Sequence, residues 1–328
     1  MNKDASILLT GAAGFIGSYL LGYLSQHGYN NIVIADDFND EDKWFNFDSK
    51  KFIQKIDREN LFEWLETKDV KIDFVFHLGA RTDTTEFDFA VHQKWNIDYS
   101  KKVWEFCSVK KVPLVYASSA ATYGNGELGY YDDHHIINSL QPLNPYGISK
   151  NEFDKWALQQ PAGLCPPRWV GLKFFNVYGP NEYHKGRMAS MVYHGFNQVQ
   201  RTGKIKLFRS HRADFKNGEQ LRDFIYVEDI ASVCLWFMEN RIADGLYNVG
   251  TGKARSFNDL AKAIFAGLDR SPVIEYIEMP EDIRDRYQYF TEAKMSKLSE
   301  AGYKKSFFTL EEGVTKYVNE YLSPKKYY

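Results

Sequence analysis

The opening segment constrains this chain more than any other feature. An apolar run from Ile7 to Leu9 leads into Gly11-Ala-Ala-Gly14-Phe15-Ile16-Gly17, helix-period residues continue to about Gln26, and a second apolar run covers Ile32 to Ala35. Strand, glycine turn, helix and strand make a βαβ unit. Glycines in such a turn permit a tight bend, close approach of backbone to a pyrophosphate and close packing of the helix, whose N-terminus favours phosphate charge. The spacing is GxxGxxG rather than GxGxxG, and flexible turns use the same residues, so the flanks carry the inference. Asp36 ends the second strand, nineteen residues past Gly17, where a carboxylate accepts hydrogen bonds from an adenosine ribose. That suggests NAD, but Lys43 and Arg58 follow closely enough to meet a 2′-phosphate, so NAD and NADP both stay open.

Strand-like runs recur at Phe74–Phe76, Leu114–Ala117, Val170–Phe174, Phe224–Val227 and Leu246–Val249, with helical stretches between most of them. This alternation predicts a Rossmann-type, doubly wound parallel sheet in an α/β fold. The segment Tyr178–Leu221 reads instead as loops and one helix, rich in Arg, Lys and His. With 328 residues the chain exceeds the usual single domain. The expected division is interleaved. Residues 1–176 plus about 222–250 form the nucleotide-binding lobe, and about 177–221 plus 251–328 form a smaller, mostly α/β substrate-binding lobe.

Composition narrows the class. A 44% hydrophobic and 26% charged chain is globular, and 41 basic against 43 acidic side chains leave a net charge of −2, so no basic field draws nucleic acid or membrane. An anionic ligand must be held locally. Cys107, Cys165 and Cys234 form no CxxC pair, which fits a reducing, cytoplasmic setting. No signal-like apolar segment opens the chain, and the longest apolar run, Ile230 to Met238, is too short to span a bilayer. His134-His135 lacks acidic or Cys partners at ligand spacing, so a solvated loop is expected and no metal.

The chemistry-bearing residues come later. Strand Leu114–Ala117 ends in Ser118-Ser119, and Pro145-Tyr146-Gly-Ile-Ser149-Lys150 follows. Four residues apart on a helix, Tyr146 and Lys150 share a face. The ammonium can lower the phenol pKa and hold the nicotinamide ribose while the phenol exchanges a proton with a substrate hydroxyl, to which Ser119 can also hydrogen-bond. Alone, each element is weak: YxxxK arises by chance, and a Ser-rich strand end is usually a cap.

Together, in this order, the glycine turn, Ser-Ser and Tyr-x-x-x-Lys resemble the extended short-chain dehydrogenase/reductase superfamily, as do Asn176-Val-Tyr-Gly-Pro180 and Arg222-Asp-Phe-Ile-Tyr-Val-Glu-Asp229. Nucleotide-sugar dehydratases of that superfamily carry Asp-Glu where this chain has Ala120-Ala121, which argues against dehydration. The segment His184-Lys185-Gly-Arg187-Met-Ala-Ser190 is similar to the HKGxMAS segment of the ADP-L-glycero-D-manno-heptose 6-epimerases. The similarity extends through Ala117–Gly124, Pro142–Lys150 and Arg286-Tyr287-Gln288. It implies transient oxidation and re-reduction of an ADP-heptose at C6″ with bound NADP, with Tyr146 and Lys185 as the two proton handlers. It further implies a homo-oligomer, a pentamer, supplying heptose to the lipopolysaccharide core.

By the same resemblance, Gly11, Gly14, Phe15, Ile16, Gly17, Asp36, Asp37, Lys43, Arg58, the loop Leu78-Gly79-Ala80-Arg81-Thr82, Asn96, Lys150, Val177 and Lys185 fall at cofactor positions. Asn176, Arg187, His194, Phe208, Arg209, Ser210, His211, Arg222 and Tyr287 fall at substrate positions, with Arg222 as the bidentate partner of the diphosphate. Two departures affect pocket size or charge: Arg81-Thr82-Asp83 replaces small residues, and Arg187 stands where some relatives have a small hydroxyl residue. A UDP-hexose 4-epimerase would need the same Ser-Tyr-Lys set, so fold and shared residues do not fix the sugar. A catalytically silent NADP-binding regulator would be expected to have lost Tyr146 or Lys150.

Overall fold

The computed structural model describes residues 1–68, 70–284 and 287–328, so Arg286 of the Arg-Tyr-Gln motif lies outside the described residues. Seven strands form one parallel sheet: β1 (Ile7–Thr10), β2 (Ile32–Asp36), β3 (Gln54–Asp57), β4 (Phe74–His77), β5 (Leu114–Ser119), β6 (Trp169–Phe174) and β11 (Gly245–Val249). Their order is β11-β6-β5-β4-β1-β2-β3. Every residue of β1, β2 and β4 is buried, as a sheet covered on both faces requires. Successive side chains alternate faces. Ile7 and Leu9 point into a core with the helices Phe15–Gln26 and Val227–Glu239, and Leu8 into a second core with the helices Tyr99–Lys110 and Pro145–Leu158.

The chain winds one way through β1, β2 and β3, then the other way from β4 onward, so β1 and β4 flank the reversal. Ile7 lies in register with both Ile32 and Phe74. A crevice opens beyond the carboxyl ends of strands at such a point, and here the ends deliver Gly11 and Leu78-Gly79 to it.

Two strand expectations need correction. Phe224–Tyr226 (β10) does not join the large sheet; it pairs in parallel with β7 (Asn176–Tyr178), placing Phe224 opposite Asn176. Conversely β3, the sequence Gln-Lys-Ile-Asp, joins the large sheet at its edge, where only one face is covered and backbone pairing needs no apolar run. Within Tyr178–Leu221 the expected helix is Met191–Thr202, and β8 (Ile205–Phe208) adds an unexpected strand that pairs with β13 (Ile274–Ile277). A last pair, β9 (Leu221–Arg222) with β12 (Arg255–Ser256), is antiparallel.

His134 also departs from expectation. It is half-buried, and its Nε2 accepts from the Leu246 N–H at 3.0 Å and from Lys297 Nζ at 3.1 Å, with burial pushing its pKa down to about 4. It is a neutral anchor for β11. Among the described residues no helix is long and apolar enough to cross a membrane, and no group of three or more His, Cys, Asp or Glu is placed to hold a metal ion.

Candidate active site

The glycine turn is built by exclusion. Gly11 has φ +73°, and a Cβ there would lie 2.5 Å from the Gly79 nitrogen; a Cβ on Gly17 would lie 2.0 Å from the Gly11 carbonyl oxygen. No larger residue lets β1, the first helix and the loop after β4 meet so closely. That helix starts at Gly14 with no side-chain cap and no acidic residue in its first turn, so its leading N–H groups face the crevice unneutralised. One cavity here is lined by Thr10, Gly11, Gly14, Phe15, Ile16, Gly17, Ala35, Asp36, Lys43, Arg58, Leu78, Gly79, Ala80, Thr82, Trp95, Tyr99, His184 and Lys185.

Asp36 is buried and already busy: Oδ2 accepts from the Ala13 N–H at 2.9 Å, Oδ1 from the Asp37 N–H at 2.7 Å, and Lys43 Nζ stands 3.5 Å from Oδ1. Asp37 pairs with Arg58 at 2.9 Å, and the guanidinium lies 3.8 Å from the Trp95 ring centre. A dinucleotide fits this cradle: glycine backbone and free N–H groups for the pyrophosphate, a carboxylate and two cations at the ribose end.

Asp37, Arg81, Asn96, Lys150 and Val177 are not in the cavity lining. Asn96 stands behind it, fully buried, accepting from the Arg81 N–H at 2.7 Å and donating to the Arg81 carbonyl at 3.0 Å and Ser149 Oγ at 2.9 Å. It clamps the loop. Arg81 points outward to Asp83 and Glu86, and Val177 packs in β7 against the core. His77 completes the support. Thr10 Oγ1 donates to its Nδ1 (2.6 Å), and its Nε2–H donates to Ser100 Oγ (2.8 Å), an assignment the surrounding donors dictate. Burial and Lys150 push its pKa down to about 3, so it stays neutral.

The Tyr146 helix starts from a strong local signal: Asn144 caps it, accepting from the Gly147 N–H at 2.8 Å, and Pro145 opens it. Lys150 is buried and donates to the Ala117 carbonyl at 2.9 Å, while burial pushes its pKa down to about 8. Ser119 Oγ accepts from the Ala121 N–H at 3.1 Å and stands near the Tyr146 phenol. The phenol is not lowered as expected: burial pushes it above the ordinary tyrosine value, with Ser119 opposing. One turn on, Asp154 accepts from Tyr116 (2.9 Å), Ser118 (2.6 Å) and Lys173 (2.7 Å), and Lys173 also donates to Thr122 (2.8 Å). This fully buried network ties β5, β6 and the helix together.

Lys185 reaches the cleft from an irregular turn, Tyr183–Met188. Its ammonium lies 5.4 Å from the Phe15 ring centre, and burial pushes its pKa down while Glu182 pushes it up. Asn46, fully buried, donates to the Ala13 carbonyl at 2.9 Å and to His184 Nδ1 at 3.1 Å, joining this turn to the glycine turn. His184, Asn46, Trp95 and Tyr99 are wall or support residues the sequence did not single out. His184 lay inside a recognised motif, and Trp95 and Tyr99 share the four-residue spacing of one helical face; Asn46 carries no signal.

The residues expected on the substrate side fall into separate clusters. Arg187 is exposed, with the His194 ring 3.4 Å from its carbonyl. Arg222 is buried and donates to the Leu221 and Gln288 carbonyls, and its guanidinium lies 5.2 Å from the Tyr287 ring centre and 5.7 Å from Phe257. Among the described residues it hydrogen-bonds no carboxylate. Phe208 meets Tyr287 edge-on at 6.2 Å, and the Asn176 side-chain oxygen accepts from Thr291. Arg209 and His211 instead turn to Glu278, at 3.5 and 3.6 Å, and Ser210 Oγ donates to the Arg212 carbonyl.

Known proteins match this chain along almost all of its length. The sequence model of the NAD dependent epimerase/dehydratase family matches residues 7–250. An ADP-L-glycero-D-manno-heptose-6-epimerase from Fusobacterium nucleatum is 49% identical over 98% of this chain and 99% of its own length. One from Nitratidesulfovibrio vulgaris is 44% identical over 96% and 98%. Among solved structures, the Helicobacter pylori ADP-L-glycero-D-manno-heptose-6-epimerase superposes with a TM-score of 0.80 at 29% identity, covering 97% of this chain and 96% of that one. A Bacillus cereus UDP-glucuronic acid 4-epimerase, with UDP-glucuronic acid and NAD, gives 0.75 at 25% identity over 96% and 99%.

Proposed function

This chain belongs to the NAD dependent epimerase/dehydratase family and, within it, to the ADP-L-glycero-D-manno-heptose-6-epimerases, and from that premise we propose that it inverts C6″ of ADP-D-glycero-β-D-manno-heptose. The observation that carries the reading is the meeting of Lys185, from the His-Lys-Gly-Arg-Met turn, with the glycine turn on one cavity wall. A nicotinamide cofactor held by the glycine turn, Asp36 and Lys43 would supply reversible hydride transfer at C6″, removal from one face of the carbon and return to the other. Tyr146, beside Ser119 and one helical turn from Lys150, handles the hydroxyl proton in one sugar orientation, and Lys185 handles it in the other. Arg222, a buried cation facing carbonyls, offers its charge to the diphosphate, with Arg187, His194, Asn176, Phe208 and Tyr287 about the sugar nucleotide.

NADP is the proposed cofactor. Asp36 already accepts from two backbone N–H groups, while Lys43 and Arg58 line the same end of the cavity with charge suited to a 2′-phosphate. Replacing both by Ala should weaken NADP binding by about 10- to 100-fold and leave NAD within about 3-fold, since each tenfold is ~1.4 kcal/mol. Equal losses by calorimetry would discard the preference. The interleaved lobes, a homo-oligomeric pentamer, a cytoplasmic setting and supply of lipopolysaccharide heptose belong to the same proposal; light scattering tests the pentamer.

The decisive experiment incubates the protein with ADP-D-glycero-D-manno-heptose carrying deuterium at C6″ and, separately, UDP-galactose, following C6″ and C4 by NMR. Inversion at C6″ with deuterium retained there is expected. Inversion at C4 alone would establish the UDP-hexose reading, and no turnover with cofactor bound would establish a silent binding protein.

A further inference from the structure

The turn carrying Lys185 hangs on one buried carboxylate. Glu182 has 0% exposure, and its oxygens are engaged from both ends of the segment 179–190. Oε1 accepts from the Gly179 N–H at 3.3 Å and from Ser190 Oγ at 2.7 Å, and Oε2 accepts from the Ser190 N–H. The Glu182 carbonyl accepts from the Lys185 N–H at 3.0 Å. Chain leaving β7 and chain entering the helix Met191–Thr202 are therefore fastened to a single side chain, with Lys185 between them. Next to it, Asn181 donates to Ser18 Oγ of the first helix at 3.0 Å, so the fastened segment rests on the cofactor-side helix. Gly186, at φ +52° and ψ −127°, lets the backbone double back just after Lys185.

We propose that Glu182 is a positioning residue for Lys185: its carboxylate clasps the two ends of segment 179–190 and so fixes where the ammonium stands in the cleft. The inference rests on Lys185 being the second proton handler. Burying a carboxylate is costly unless it is hydrogen-bonded and charge-compensated. Burial pushes the Glu182 carboxyl above its ordinary value, Lys185 and the three donors oppose that and favour its charge, and Glu182 in turn favours the ammonium against burial. A neutral amide or an alkyl group at this position loses that reciprocity even where the loop stays closed. Also close by are Tyr183 from the same turn, Tyr317 from the helix Leu310–Tyr317, and His184, which burial, Lys43 and Lys185 push down to about 4 and so keep neutral; none supplies positive charge.

The test places Glu182→Gln and Glu182→Ala in the full chain, with and without Lys185→Met, and measures kcat and KM for the ADP-heptose, NADP affinity and the thermal midpoint. With Lys185 present, Glu182→Ala should lower kcat by about 30-fold while KM and NADP affinity stay within about 3-fold; without Lys185 the same change should move kcat by less than about 3-fold, because interacting residues are not additive. Glu182→Gln should fall between. Unchanged kcat, or the same loss in both backgrounds, overturns the positioning role and leaves the Lys185 assignment standing. Near-normal turnover of Lys185→Met by itself removes the parent assignment, and the clasp with it. Should the Glu182 variants not fold, Ser190→Ala removes one clasp bond, and about a 3- to 10-fold kcat loss confined to the Lys185 background is expected; a background-independent loss overturns the proposal.

Discussion

Tyr146 and Lys150 ride on a regular helix, capped by Asn144 and begun by Pro145, whereas Lys185 rides on a short irregular turn between β7 and the helix Met191–Thr202. The helix satisfies its own backbone, and its side chains are pinned into β5 and β6 through Lys150, Asp154 and Lys173. The turn has no ladder to lean on and is held by a few side chains, the adjoining Glu182 and the distant Asn46 foremost. In regular structure, positional accuracy is spread over many weak contacts; in the turn it is concentrated in a few strong ones, each of which a single substitution removes.

The proposed roles let this contrast be broken in order of size. Tyr146→Phe should cut turnover by ~10²- to 10⁴-fold with NADP still bound and the thermal midpoint unchanged, because a half-buried phenol is traded for a ring of the same shape. Near-normal turnover would end its assignment as the main acid/base. Lys185→Met should cost about 10²-fold in kcat; an effect confined to KM would make Lys185 a ligand of the sugar nucleotide, and the two arms would no longer be equivalent in chemistry.

The smallest effect is a pH limb. Burial sets Lys150 to about 8, so its ammonium prevails below that pH and is lost above it. The sign is therefore a fall in kcat/KM as pH rises through about 8, up to tenfold per unit at most. A profile flat to pH 10 would show that the charge on the helix-borne lysine does not matter to turnover.

Much of this was legible because it is local. Gly11, Gly14 and Gly17, the strand before them and the helix after them lie within twenty residues, Ile7 to Gln26, and Asn-Pro-Tyr-x-x-x-Lys encodes its own cap, start and face. Periodicity likewise announced β1, β2, β4, β5, β6 and β11, whose burial on both faces demands apolar runs. It did not announce β3, which an edge position leaves free to be polar, and it misplaced Phe224–Tyr226, an apolar run whose partner is β7 rather than the large sheet.

The sequence by itself determined the βαβ entry and the cofactor class and brought forward the proposed Ser119-Tyr146-Lys150 set, since each follows from residues within a few turns of one another or from a motif read in order. Tertiary structure decided what distant segments do to each other. It tied Asp36 to the Ala13 N–H, set Asn96 against Arg81, turned Arg209 and His211 toward Glu278, and left Arg222 facing carbonyls. It also raised the Tyr146 phenol where spacing alone suggested lowering. Proton affinity depends on desolvation and on every charge nearby in space, and neither is encoded at a fixed offset along the chain.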